Sequence, residues 1–91
     1  MTVHVELYGI PRQRTGASSV DVAIHTPTAR LGDILLDVGR QFPMFADECL
    51  HGDQLRRGIT VNLDGDQFVE DPETLVATGQ SLLIMSADAG G

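Results

Sequence analysis

Ninety-one residues with 42% hydrophobic content and no long biased tract describe one small domain built around a single core. Thirteen acidic residues against six basic ones give a formal charge of −7, which repels phosphate backbones and argues against a nucleic-acid partner. The one cysteine, Cys49, allows neither an internal disulfide nor a cysteine-ligated metal or iron–sulfur centre, and no apolar run approaches the roughly 20 residues of a membrane span.

All six basic residues are arginine, so no lysine on this chain can accept an isopeptide bond. Met1-Thr2-Val3-His4 lead directly into a strand pattern rather than a leader, and with one cysteine this predicts a reducing, cytoplasmic setting.

Val3 to Tyr8 alternates with period two, the mark of a half-buried strand with Val3, Val5 and Leu7 inward and His4, Glu6 and Tyr8 outward. Gly9 to Ser18, carrying Pro11 and Gly16, reads as a loop too long for a tight hairpin. A second alternation follows, with Val20, Val22 and Ile24 facing inward. Pro27 ends it and the period changes. Leu31, Ile34, Leu35 and Val38 fall at i, i+3, i+4 and i+7, one face of a helix with Thr28 as its expected N-cap. Pro43 should stop that helix at Gln41 or Phe42.

Met44 to Arg57 reads as loop with a short helical turn. Ile59, Val61 and Leu63 mark a third strand, closed by the turn signal Asp64-Gly65, and Phe68-Val69 a short return. Pro72 to Gly79 is expected to be a connection with one helical turn around Leu75. Ser81 to Met85 is a final strand, apolar on both faces, which belongs in the middle of a sheet beside the first strand. The order predicts an α+β domain, a ubiquitin-like β-grasp with a mixed sheet and one main helix on one face. The domain is expected over residues 1–85, with 86–91 as a tail ending in Gly-Gly.

Three segments carry a resemblance. They are Leu7-Tyr8-Gly9-Ile10-Pro11-Arg12 with Thr15-Gly16; Leu55 to Asn62, with Val61-Asn62 at the strand end; and Thr74-Leu75, Gly79 and Leu82 to Met85 leading into Ala89-Gly90-Gly91. In these the sequence resembles the ubiquitin-like sulfur carriers of molybdopterin, thiamine and cysteine biosynthesis over nearly its whole length. It departs where Gly79-Gln80 replaces the usual Gly-Asp, and where Ser86 or Ala87 replaces a proline that would stiffen the tail.

The resemblance implies a carrier, not an enzyme, whose reactive group is the Gly91 carboxylate. An E1-like adenylyltransferase would supply the ATP site, and the acyl-adenylate would become a thiocarboxylate. Its sulfur would pass to a synthase, either the large subunit of molybdopterin synthase or a cysteine-synthase-like enzyme. No cofactor is expected on the chain itself, and the free protein is expected to be a monomer. Six extended residues span on the order of 20 Å, enough to enter a buried active site, and Gly90 and Gly91 lack the Cβ atoms that would obstruct a narrow channel. Strand alternation places Leu83 and Met85 outward near Tyr8, a candidate docking face. Arg12, at the family's loop arginine, joins it by resemblance.

Other residues carry less. Asp47 and Glu48 beside Cys49 disfavour a thiolate. His4, His25 and His51 have no metal-ligand spacing. Asp64-Gly65-Asp66 lacks the rest of a calcium loop and reads as a turn. Two alternatives use the same terminus or none of it: a modifier conjugated to lysines through Gly91, and a ubiquitin-like interaction domain with an inert end.

Overall fold

The computed structural model describes residues 1–86. Twelve elements follow one another: β1 (Thr2–Leu7), α1 (Ile10–Thr15), β2 (Ser19–Ala23), β3 (Thr28–Arg30), α2 (Leu31–Gln41), α3 (Pro43–Cys49), β4 (Leu50–His51), β5 (Gln54–Leu55), β6 (Ile59–Leu63), β7 (Gln67–Val69), β8 (Leu75–Ala77) and β9 (Ser81–Ser86).

Five strands form a mixed sheet in the order β2-β1-β9-β6-β7. β9 lies at its centre, parallel to β1 and antiparallel to β6, where a strand apolar on both faces is stable. Leu82 and Ile84 of β9, Val3, Val5 and Leu7 of β1, and Val61 of β6 face α2. That helix buries Leu31, Ile34, Leu35 and Val38, the four positions its period predicts. Burying each of them contributes roughly 1.5–3 kcal/mol before conformational entropy is set against it. The α+β β-grasp architecture expected from the strand order is present.

Four local expectations need correction, each for a physical reason. Residues 9–18 are not a plain loop: Pro11 sits in the first turn of α1 and Gly16, at φ 72, ends it. Proline just inside a helix and glycine just past it is the usual asymmetry of helix ends. Thr28 does not cap α2 but lies in β3, and the cap residue Arg30 makes no side-chain bond. Instead Leu31 N–H donates to the Thr74 carbonyl at 2.8 Å and Gly32 N–H to the Pro72 carbonyl at 2.9 Å, so neighbouring backbone satisfies the helix start.

Residues 43–57 hold a full helix, α3, opened by Pro43, then the small β4–β5 hairpin. Phe45 and Cys49 seal one end of the core with no exposure. Leu75 sits in a strand rather than a helical turn: β8 pairs antiparallel with β3 and buries Val76 completely. The smaller differences are that Val20 is only half-buried and Ile24 is buried just beyond β2.

Asp64 and Gly65 both take positive φ in the turn after β6. Asp64 then reaches across to the start of β9, where its carboxylate accepts Ser81 N–H at 2.8 Å and Gln80 Nε2 at 2.9 Å. The turn thereby anchors the central strand.

Candidate functional site: the outer face and the end of β9

Strand pairing fixes which side chains share the face turned away from α2. Across the sheet, Glu6 of β1 stands beside Leu83 of β9, Leu83 beside Asn62 of β6, and Asn62 beside Phe68 of β7. One step along, Met85 stands beside Thr60, and Tyr8 follows Leu7, the partner of Ile84. Leu83 and Met85 are half-buried while Tyr8 is exposed, so three of the expected docking residues are brought to one surface.

The fourth, Arg12, lies exposed on α1, close enough to Tyr8 for its charge to act on the phenol. Tyr8 Oη donates to Glu6 Oε1 at 2.6 Å. That bond, then partial burial and the Glu6 charge, raise the phenol pKa above its usual value, and Arg12 opposes the rise.

Two further residues share this face: Phe68, which the sequence marks only as part of a short return strand, and Asn62, which carries the resemblance but no expected place on the surface. Phe68 is the more prominent, 65% exposed at the centre of the edge strand. Its signal was the Asp64-Gly65 turn, whose register sets Phe68 opposite Asn62. Asn62 is buried, and its Oδ1 has no hydrogen-bond partner among the described residues.

Beside the face, at the open β6–β7 edge, lies a groove of about 590 Å³ lined by Leu55, Arg56, Arg57, Phe68, Val69 and Met85, among others.

The end of β9 is tied down as well. Tyr8 N–H donates to the Ile84 carbonyl at 2.9 Å, and Ile10 N–H donates to Ser86 Oγ at 2.7 Å. Gly90 and Gly91, the expected reactive end, lie outside the described residues.

Arg30 binds Asp33 Oδ1 at 2.8 Å, Asp53 Oδ2 at 3.0 Å and the Glu73 carboxylate, tying the start of α2 to two loops. Burial and the Glu48 charge push the Cys49 thiol pKa up, which leaves it a poor nucleophile. Among the described residues, no three His, Cys, Asp or Glu side chains are grouped to hold a metal ion. Nor is any helix among them long and apolar enough to cross a membrane.

No family model matches the chain, and neither does any curated protein sequence. Solved structures do. SAMP1 from Haloferax volcanii superposes with a TM-score of 0.81 at 20% identity, all of each chain being covered. CysO, in the BexX/CysO complex of Amycolatopsis orientalis, gives 0.77 at 29% identity over 98% of this chain and 99% of that one. A protein of Pyrococcus furiosus described as molybdopterin converting factor, subunit 1, gives 0.76 at 16% identity over 94% and 97%. The chain shares the ubiquitin-like β-grasp fold of these proteins. The resemblance to ubiquitin-like sulfur carriers drawn from the sequence therefore agrees with the fold.

Proposed function

We propose that this chain is a sulfur carrier that acts through the carboxylate of Gly91. An E1-like adenylyltransferase holds ATP, and a Gly91 carboxylate oxygen attacks the α-phosphorus, forming an acyl-adenylate and releasing pyrophosphate. A sulfide-equivalent sulfur then attacks the acyl carbon and AMP leaves, giving the thiocarboxylate. Its sulfur goes to an acceptor synthase of molybdopterin or cysteine biosynthesis. The carrier supplies the acyl group; the ATP site and its metal belong to the partner.

The observation that carries this reading is the placement of β9. It is the central strand, it presents Leu83 and Met85 on the outward face beside Tyr8, and it ends at Ser86, immediately before residues 87–91. The strand that would carry the docking face is thus also the one from which the chain continues to Gly91. The likeness to CysO over nearly the full length of both chains supports the cysteine branch, and the likeness to a molybdopterin converting factor subunit supports the other.

The test is a reaction of the purified protein with ATP, an E1-like enzyme and a sulfide source, read by intact and C-terminal peptide mass. Replacement of one terminal oxygen by sulfur is expected, and it should vanish when Gly90 and Gly91 are removed. A second reading, a protein modifier conjugated through Gly91, is favoured by the likeness to SAMP1, a small archaeal modifier protein. A ladder in lysate that resists reducing agent supports conjugation; thiocarboxylate without a ladder supports sulfur transfer.

A further inference from the structure

Ser86 closes β9 and is the last residue before the segment on which the proposed function depends. Its side chain is not a solvated surface hydroxyl, for Ser86 is only 5% exposed and its Oγ accepts Ile10 N–H at 2.7 Å. Ile10 opens α1. As the first residue of the helix, Ile10 has no carbonyl partner within it, so its free N–H must find an acceptor elsewhere. Gly9 takes φ 61 and ψ −130, a conformation that glycine tolerates and other residues resist, and the twist delivers Ile10 N–H to β9.

Two residues earlier, Tyr8 N–H donates to the Ile84 carbonyl at 2.9 Å. The stretch from Tyr8 to Ile10 is therefore stitched twice to the final three residues of β9.

From this geometry we infer that Ser86 is a positioning residue: its hydroxyl ties the base of residues 87–91 to α1 and sets where the reactive carboxylate leaves the domain relative to Tyr8, Arg12 and Met85. The inference rests on the carrier reading above. A proline at this place would stiffen the chain by fixing φ. The serine instead ties the strand end to a neighbouring element while keeping its own register with Ile59 of β6. A partner that docks on the outward face must also receive the carboxylate in its active site. An exit already fixed leaves less chain entropy to lose at that step. Because Ser86 is not part of the docking face, the effect falls on turnover by docked carrier and not on docking.

The test compares Ser86→Ala, which removes the acceptor, with Ser86→Thr, which keeps a hydroxyl on a side chain suited to a strand. Steady-state adenylation is measured against carrier concentration with an E1-like adenylyltransferase. Loss of one such hydrogen bond predicts a kcat about fivefold lower for Ser86→Ala, with KM within about twofold of wild type and most of the loss recovered in Ser86→Thr. In the free protein, amide exchange of Ile10 should quicken and the Ser86 amide order parameter should fall in Ser86→Ala alone.

Unchanged kcat in Ser86→Ala, or a loss confined to KM, overturns the inference. Should wild-type protein resist adenylation altogether, the carrier reading falls. The tie is still decided in the free protein, where unchanged Ile10 exchange and Ser86 order in Ser86→Ala overturn it.

Discussion

Two faces of one strand behave differently here. Leu82 and Ile84, on the side of β9 covered by α2, have no solvent exposure, whereas Leu83 and Met85, one residue away on the other side, are only half-buried. Composition does not distinguish the pairs; what lies over them does. The inner pair meets a helix whose apolar face matches it, so its contribution is cohesion. Among the described residues the outer pair is flanked by Asn62, Thr60, Glu6 and the exposed Phe68 and Tyr8, a half-covered surface of the kind that binds partners. An alternating strand can therefore divide folding and recognition between its two sides.

The largest effect should come from neither face. Removing Gly90 and Gly91 is expected to abolish thiocarboxylate formation, and Gly91→Ala to lose most of it. Thermal stability should be unchanged in both, because residues 1–86 already contain the sheet and α2. Intact mass and a melting curve read the two quantities side by side. Wild-type turnover by Gly91→Ala would sink the steric argument for a terminal glycine.

Next in size is the inner face. Ile84→Ala leaves a cavity against α2 and should destabilise the fold by about 2–5 kcal/mol in chemical denaturation. Activity per folded molecule should remain near wild type. On the outer face the pattern should invert. Phe68→Ala removes a ring that is 65% exposed, so stability should move by no more than about 0.5 kcal/mol. The KM for an activating partner should rise about tenfold if the ring anchors docking. A stability loss in Phe68→Ala as large as that in Ile84→Ala would erase the distinction between the faces.

Much of this division was legible in the sequence. The period-two runs placed Val3, Val5 and Leu7 inward, the helical period placed Leu31, Ile34, Leu35 and Val38, and the doubly apolar last strand implied the centre of the sheet. What stayed hidden depended on backbone meeting backbone over long sequence separations. The start of α2 is satisfied by the carbonyls of Pro72 and Thr74, and β8 becomes a strand only because β3 lies beside it. Neither arrangement has a side-chain signature. Phe68 was missed for a different reason. A single aromatic in a three-residue strand shows no period, and only its register opposite Asn62 puts it on the outward face. Pro11 and Gly16, by contrast, did bracket α1 in plain view.

The smallest effect sits at the polar rim of the outer face and tests whether that rim is as ordered as the core. Tyr8 Oη donates to Glu6 Oε1 at 2.6 Å, a bond that exists only while the phenol keeps its proton. Ionising Tyr8 breaks that bond and sets two negative charges side by side, so its pKa is raised above the usual tyrosine value near 10. Ultraviolet titration of this single tyrosine should therefore give a midpoint above 10. Glu6→Gln should lower that midpoint, since it removes the charge and weakens the acceptor. Arg12→Ala should raise it further, since the guanidinium favours the phenolate. A midpoint indifferent to Glu6→Gln would mean that the rim is disordered in solution and that the contrast between the faces is one of rigidity as well as cover. If the midpoint moves as expected, the Tyr8 hydroxyl is neutral and committed to Glu6 throughout the neutral range. Any pH dependence of docking near pH 7 must then arise from groups other than Tyr8.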